Sequence, residues 1–198
     1  MLALTVHEFS HGFAAFLLGD NHARDHGRLS LNPIRHIDPI GFLFILTMGF
    51  GWAKPVMIDT YRFKDPKNDM AITAFAGPLS NLVLAFACLM IIVPMERLYT
   101  GSSQTVIYFY SFLQIMVTIN LILAVFNMLP LPPLDGSKVF GVALPRDLYF
   151  RMMSADRIGF VILIVLLWTG QFGRILSPIM GGLRGALLFV VQGIYFFL

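Results

Sequence analysis

The sequence is short of charged residues: only 13% of its 198 residues are Asp, Glu, Lys or Arg, while 57% are hydrophobic. A soluble domain normally has about 25% charged residues, so the composition excludes an ordinary soluble protein and indicates an integral membrane protein. The net charge of +3 is spread over loops, which reflects membrane topology, and we expect no nucleic-acid partner. The single cysteine, Cys88, excludes an intrachain disulfide and a cysteine-based metal cluster.

The sequence contains few long apolar runs, and their lengths predict an all-α polytopic membrane protein with about four to five transmembrane helices. Four runs are long enough, or nearly long enough, to cross a bilayer: approximately 1–18, 71–93, 106–129 and 158–180. A further apolar segment, 186–198, is too short for its placement to be predicted. Because the polar connections are short, we expect a single membrane-embedded domain over residues 1–198.

The first apolar run lacks the basic flank of a cleavable signal peptide, so we expect it to remain in the mature protein. Eighteen helical residues span about 27 Å, which is slightly less than the hydrocarbon core of a bilayer. A few residues upstream of Met1 would complete a span, and the sequence leaves open whether they exist.

Ionisable side chains lie inside this first run, where they are costly unless they serve a function. His7, Glu8 and His11 form the pattern His-Glu-x-x-His. On a helix the two imidazoles lie one turn apart on the same face and can bind one zinc ion, while Glu8 can act as a general base for the attacking water. The alternative is a set of polar residues that face a water-filled bundle interior.

A catalytic zinc ion usually has three protein ligands, so the sequence must supply one more. Asp135 is the best candidate because it follows the Pro-rich apolar segment 130–134 at the end of the third run. Three prolines in four positions exclude a continuing helix, so we predict extended chain that folds back and carries a carboxylate to the buried metal. Alternatively, Asp135 is the N-cap of a short helix over 136–144, or begins an Asp-Gly turn.

The segment 39–58 is too short to cross a bilayer, and its second half contains Gly, Pro and β-prone residues. Irregular backbone at membrane depth needs a cover of protein, so we predict a re-entrant, β-hairpin-like segment near the active site. If this segment does not cross, the region 19–70 carries seven Lys and Arg residues on one side, the loop 94–105 carries one, and 130–157 carries four. The positive-inside rule then places 19–70 and 130–157 in the cytoplasm.

The polar loop after the first run contains three more histidines, His22, His26 and His36. We predict that they lie at the surface, because histidine is common in polar loops without a ligand role. A second metal site is the alternative, but Gly and Pro residues in this loop argue against a regular helix there.

Together these motifs resemble the site-2 protease family of intramembrane zinc metalloproteases, and most closely its small bacterial and archaeal branch without a PDZ domain. The resemblance covers residues 3–136, in the stretches ALTVHEFSHGFAAFLLGD, GRLSLNPIRHIDPIG, GFGWAKPV, AGPLSN and FNMLPLPPLDG. It implies that His7, His11 and Asp135 bind one zinc ion, that Glu8 is the catalytic base, and that Asn127 lies near the substrate. It also implies that another protease usually trims the substrate first.

Candidate substrate-binding residues are two asparagines and the segment 52–58. Asn81 either forms hydrogen bonds between helices or holds substrate, and Asn127 holds either the Pro-rich segment or a substrate carbonyl. The segment that contains Trp52 and Val56 is predicted to offer an open edge on which an unwound substrate lies as an added strand. The alternative is that this hairpin only plugs the helix bundle.

The sequence therefore predicts an intramembrane zinc metalloendopeptidase, with one Zn²⁺ per chain, that cleaves within the transmembrane segments of single-span membrane proteins. We expect it in the plasma membrane of a prokaryotic cell, with its active site open toward the cytoplasm. The alternative is a non-catalytic zinc-binding membrane protein that acts as a transporter or scaffold. Glu8 argues against this alternative, because such a site has no use for a base beside the metal.

Overall fold

A computed structural model describes residues 1–48, 54–99, 101 and 103–196 of the chain. The α-helices within these residues are α1 (Leu2–Leu17), α2 (His22–Asp25), α3 (Pro39–Met48), α4 (Pro66–Leu98), α5 (Gln104–Asn127), α6 (Asp135–Gly141), α7 (Arg146–Met153), α8 (Asp156–Trp168) and α9 (Gln171–Phe196), and two short 3-10 helices lie at Pro33–His36 and Thr60–Arg62. The described part of the chain contains no β-sheet. The prediction of an all-α membrane protein is confirmed.

Three of these helices, α4, α5 and α9, are long and apolar enough to cross a membrane. They pack against one another around a core of fully buried aliphatic side chains. Leu89 of α4, Val117 and Leu121 of α5, and Val191 of α9 are each at most 1% exposed. Burial of such side chains contributes about 1.5–3 kcal/mol each in water and acts through packing in a membrane.

Helix α1 lies along α4 and also contacts α5, while α6 packs against α4. α1 has 16 residues, about 24 Å, so it is shorter than the three long helices. α4 begins at Pro66, where the missing N–H of proline costs nothing, and the side chain of Asp65 accepts a hydrogen bond from the N–H of Asn68 at 3.3 Å. Because α1 and α6 both pack against α4, this helix positions the two of them relative to each other.

The prediction of one continuous span over 158–180 is wrong. α8 ends at Trp168 and α9 begins at Gln171, with Gly170 between them at a φ of +70°. Glycine adopts this left-handed conformation without a steric cost, so it ends one helix and redirects the chain. The apolar segment 186–198, whose placement the sequence left open, forms the second half of α9 as far as Phe196.

The segment 39–58 also differs from its prediction, because its first half is the helix α3 and not the arm of a hairpin. The carboxylate of Asp38 accepts the N–H groups of Ile40 and Gly41 and so caps this helix. Residues 49–53, which include Trp52, lie outside the described residues. The N–H of Lys54 donates to the carbonyl of His36 at 2.8 Å. The two residues that flank the segment 37–53 are therefore hydrogen-bonded to each other through their backbones.

The prediction that all three loop histidines lie at the surface is wrong for His36, which is fully buried. Its Nε2 lies 2.7 Å from the carbonyl oxygen of Ser30, so this ring is tied to the backbone of its own loop. His22 and His26 lie at the start and just beyond the end of the one-turn helix α2, where their rings stack with centroids 4.2 Å apart. Histidine in this loop therefore has structural roles.

Candidate active site

Three side chains that the sequence predicted as metal ligands meet at one point between α1 and α6. His7 Nε2 lies 3.3 Å from Asp135 Oδ2, and His11 Nε2 lies 3.1 Å from the same oxygen. The two Nε2 atoms are 3.0 Å apart. The three residues are buried, with 4%, 7% and 8% of their surface exposed for His7, His11 and Asp135. Among the described residues they form the one group of this kind that could hold a metal ion.

The other nitrogen of each imidazole is bound by α4. His11 Nδ1 lies 2.7 Å from the carbonyl oxygen of Thr73, which can only accept, so Nδ1 carries the proton. His7 Nδ1 lies 2.7 Å from Asn81 Oδ1. Both rings are therefore fixed in the tautomer that leaves Nε2 unprotonated.

A chain of amides fixes the orientation of Asn81. Asn120 Nδ2 donates to the carbonyl of Met116 at 2.8 Å, so its Oδ1 faces Asn81. Asn81 Nδ2 donates to that oxygen at 2.8 Å and to the carbonyl of Ala3 at 3.2 Å. Its Oδ1 must then face His7, because every other partner requires the amide nitrogen. α5 thus contributes to the orientation of a ligand on α1.

The three converging atoms carry lone pairs and no shared proton, an arrangement that a cation stabilises. In a tetrahedral zinc site with bonds of about 2.0–2.1 Å, two ligand atoms lie about 3.3–3.4 Å apart. The observed separations of 3.0, 3.1 and 3.3 Å are close to this value. Two imidazole nitrogens and one carboxylate also match the donor set of a catalytic zinc site. The site therefore fits zinc on the evidence of its own atoms.

Asp135 reaches the site as the first residue of α6, after Leu134 at the N-cap. The sequence predicted that the preceding Pro-rich segment is extended, and this prediction is wrong. The segment folds into tight turns, in which the N–H of Leu134 donates to the carbonyl of Leu131. Gly136 makes this placement possible, since a Cβ there would lie 2.4 Å from the backbone oxygens of Met128 and Leu129.

Gly77 is a site residue that the sequence interpretation missed. A Cβ at this position would lie 2.4 Å from His11 Nε2 and 2.7 Å from His7 Cε1. Thr73 and Asn81, which bind the two rings, are four residues before and after it, so all three lie on one face of α4. The spacing Thr-x-x-x-Gly-x-x-x-Asn is visible in the sequence, but it becomes a signal only once this face is known to meet the His-Glu-x-x-His helix.

Glu8 is outside the ligand group, and its carboxylate is held by the segment that follows residue 53. Its Oε2 accepts the backbone N–H of Val56 at 2.9 Å. Val56 is 8% exposed, and its side chain lies beside Gly12 of α1. The same segment is fixed further along, where the N–H of Asp59 donates to the buried carboxylate of Asp20 at 2.7 Å. This segment therefore positions the predicted base.

The residues that the sequence predicted to bind substrate differ in whether their polar atoms are available to a substrate. Val56 directs its N–H to Glu8, and Asn81 is fully buried with its amide bound to protein groups, so neither offers these atoms to a substrate. For Asn81 the geometry favours the hydrogen-bonding interpretation over substrate contact. Asn127 is the last residue of α5, and its amide nitrogen donates to Leu123 at 3.0 Å. Its contact with substrate stays a prediction.

Comparisons with known proteins agree with this site. A family model described as Peptidase family M50 matches residues 94–167, which include Asp135. YwhC of Bacillus subtilis, named as a candidate zinc metalloprotease, is 36% identical over 98% of this chain and 90% of its own length. Two further proteins with names of the same kind are Rip2 of Mycolicibacterium smegmatis, 29% identical over 88% of this chain and 66% of its own length, and MJ0611 of Methanocaldococcus jannaschii, 37% identical over 50% of this chain and 48% of its own length.

No solved structure matches this chain significantly. The matches give no indication of a PDZ domain, as the resemblance implied. The match to YwhC runs almost end to end in both proteins, so it covers the His-Glu-x-x-His helix as well as the Asp135 region. The predictions of a zinc cofactor and of a metalloprotease are thereby confirmed. The chain belongs to peptidase family M50, the site-2 protease family of membrane-embedded zinc metalloproteases.

Proposed function

We propose that this metalloprotease cleaves peptide bonds inside the membrane, within a transmembrane segment of another membrane protein. The observation that carries the proposal is the position of the site along α4. Thr73 and Asn81, which hold the two imidazoles, lie about 10 Å and about 22 Å from the start of this 33-residue apolar helix. A metal site at that depth of a membrane-spanning helix meets a substrate that is itself in the membrane.

The residues of the chain divide the chemistry between them. His7, His11 and Asp135 would hold zinc, which supplies Lewis acidity for the scissile carbonyl and lowers the pKa of water. Glu8 accepts the proton of the attacking water and delivers it to the leaving amine. The N–H of Val56 holds Glu8 Oε2, and Oε1 has no hydrogen bond within the described part of the chain, so Oε1 is the oxygen that takes the proton.

The substrate must unwind locally before it can react, because its helical hydrogen bonds and side chains shield each peptide bond. The segment 54–58 supports pairing with the unwound substrate, although the N–H of Val56 is not available for it because that group binds Glu8. The N–H of Met57 has no partner among the described residues, and Met57 is 56% exposed. We assign substrate pairing to this group and a substrate carbonyl to Asn127. A contact of Trp52 with the substrate is also proposed, on the basis of the sequence alone.

We further propose a multi-pass orientation in the plasma membrane of a prokaryotic cell, with the site open to the cytoplasm. The excess of Lys and Arg in 19–70 and 130–157 supports this orientation. A cavity of about 630 Å³ supports a polar route, since charged residues line it and it reaches Ser137 and Lys138, close to Asp135. Substrates are single-span proteins that another protease has already trimmed.

Cleavage of a model single-span substrate in proteoliposomes tests the proposal. We expect the zinc-loaded protein to cut within the apolar segment, a chelator to stop cleavage, and added zinc to restore it. Glu8→Gln should retain zinc and the fold but lose about 100- to 10,000-fold in turnover. Gly or Pro placed near the cut should accelerate cleavage, because each weakens the substrate helix.

Three outcomes would contradict the proposal. Cleavage confined to the extramembrane part of the substrate would place the reaction outside the membrane. Equal turnover by Glu8→Gln would assign the base to another group. Zinc binding without any cleavage, even of a substrate shortened to its transmembrane segment, would favour a non-catalytic zinc protein.

A further inference from the structure

A basic cavity lies outside the metal site, on the loop that joins α2 to α3. Its volume is about 390 Å³, and its lining includes Gly27, Arg28, Ile34, Arg35 and Lys54. No acidic side chain is among the described residues that line it. Arg28, Arg35 and Lys54 form no ion pair with any residue in the described ranges, whereas Arg24 and Arg62 both pair with carboxylates.

The backbone holds the guanidinium groups of Arg28 and Arg35 together against their mutual repulsion. The guanidinium of Arg28 donates to the carbonyl of Arg35, and Arg35 Nη1 donates to the carbonyl of Gly27 at 2.7 Å. Gly27 has a φ of +65°, and a Cβ there would lie 2.9 Å from Arg35 Nη1, so glycine is needed both for the turn and for this contact. Lys54 is brought to the same place by its backbone bond to His36.

Each guanidinium carries five N–H donors and uses only one in these bonds, so most of the donors remain for a ligand. Two guanidinium groups held by the backbone, with Lys54 beside them and no acidic side chain in the lining, complement a phosphate, and guanidinium groups match phosphate oxygens in pairs. The chemistry of the ligand is therefore that of a phosphate group.

Apolar side chains beside the cations identify the source of the phosphate. Ile34, which lines the cavity, is 75% exposed, and Leu31 and Ile40, three residues before it and six after it in the sequence, are 59% and 61% exposed. A soluble phosphate makes no use of such side chains, whereas a lipid offers a phosphate and acyl chains at adjacent depths. We propose that this cavity binds the headgroup of an anionic phospholipid, with the cations on the phosphate and Ile34 against the lipid tails.

The bound lipid would also act on the segment that holds the base. Lys54 is two residues before Val56, whose N–H binds Glu8, so a headgroup that joins Lys54 to Arg28 and Arg35 fixes the start of this segment. Binding of the lipid does not depend on the identity of the protease substrate, and it can be measured without any cleavage.

The test is lipid binding by the purified protein, with phosphatidylglycerol as the anionic probe and phosphatidylcholine as the neutral one. Native mass spectrometry of protein released from mixed nanodiscs counts the lipids that stay bound. We expect the protein to retain phosphatidylglycerol selectively, and the triple variant Arg28→Gln, Arg35→Gln, Lys54→Gln to bind it about 100-fold more weakly. The control with the same charge change is Lys64→Gln, Arg151→Gln, Arg157→Gln, whose residues lie outside the cavity; it should bind like the wild type.

Further variants keep the result interpretable. Equal zinc content shows that a variant is folded, and the single variant Lys54→Gln, at an exposed position, should weaken binding about fivefold. Ile34→Ser leaves the charge unchanged and should weaken lipid binding, while excess inorganic phosphate should not displace the lipid. Equal retention by the triple variant, or an equal loss in the control, would overturn the proposal. Displacement by inorganic phosphate together with normal binding by Ile34→Ser would show a free-phosphate site instead.

Discussion

Replacement of Gly77 by alanine tests whether α4 determines the geometry of the metal site. The added methyl group would lie 2.4 Å from His11 Nε2, 2.5 Å from His11 Cε1 and 2.7 Å from His7 Cε1. Neither ring can simply move away, because each is bound through Nδ1 to α4 itself, at Thr73 or Asn81. The methyl group must therefore separate α1 from α4 or break one of these hydrogen bonds.

The size of the effect follows from these distances. Ordinary contact begins at 3.4 Å, so the nearest ring must shift by about 1 Å. Zinc sites keep their bond lengths within about 0.2 Å, so a shift of this size removes good coordination. Forcing a methyl group into a close-packed interior costs about 1–3 kcal/mol. If most of this cost falls on the site, zinc affinity drops about 10- to 100-fold.

Zinc affinity is measured by competition with a chromogenic chelator on protein in detergent, before any substrate is added. The matched control is Gly182→Ala, also within a helix, where an added Cβ meets no atom within 4 Å. We expect the control to bind zinc like the wild type and Gly77→Ala to bind it at least tenfold more weakly. Wild-type affinity in Gly77→Ala would refute the argument that α4 sets the ligand positions.

Three further predictions concern the neighbours of the metal. Asp135→Asn should reduce zinc from about one ion per chain, measured by elemental analysis, because an amide is a poor substitute for the carboxylate ligand; full zinc content would mean that another group is the third ligand. Asn81→Leu should lower zinc affinity about 10- to 100-fold through the loss of its bond to His7, in titrations without substrate; a change in KM alone would instead restore its predicted role in substrate binding. Val56→Pro removes the N–H that holds Glu8 and should lower kcat about 10- to 100-fold with zinc retained, since a hydrogen bond to a charged group contributes about 1.5–3 kcal/mol. Val56→Ala keeps that N–H and should stay within a few-fold of wild type, so equal kcat values for the two variants would contradict this role.

The sequence predicted the parts of the fold that depend on local spacing. His7, Glu8 and His11 lie on one helix because the pattern has a helical period, and the apolar runs of α4 and α5 follow from composition. Asp135 was identified by elimination among few carboxylates, although the extended conformation predicted for the segment before it was wrong. The prolines do end the helix, but the chain then turns tightly, because the carbonyls of Leu129 and Leu131 accept hydrogen bonds from N–H groups two and three residues further on.

Hydropathy alone does not locate a helix break, which explains the error over 158–180. Thr169 and Gly170 interrupt an apolar sequence without lowering its average hydropathy much, and only the φ of +70° at Gly170 shows that the chain turns there. The error over 39–48 has a different origin. The irregular backbone predicted from the second half of 39–58 was extended to the first half, and the cap that Asp38 supplies to α3 was not part of the prediction.

The contacts that the sequence could not supply are those made by groups without catalytic chemistry. α1 carries the His-Glu-x-x-His pattern, yet Thr73 contributes a backbone carbonyl, Gly77 the absence of a side chain, and Val56 a backbone N–H. None of these atoms is specified by a motif, because every residue has a backbone and many glycines lie in helices for other reasons. A chain of this family could therefore keep both histidines and the glutamate and still lose zinc or turnover, through one methyl group on α4 or one proline beside Glu8.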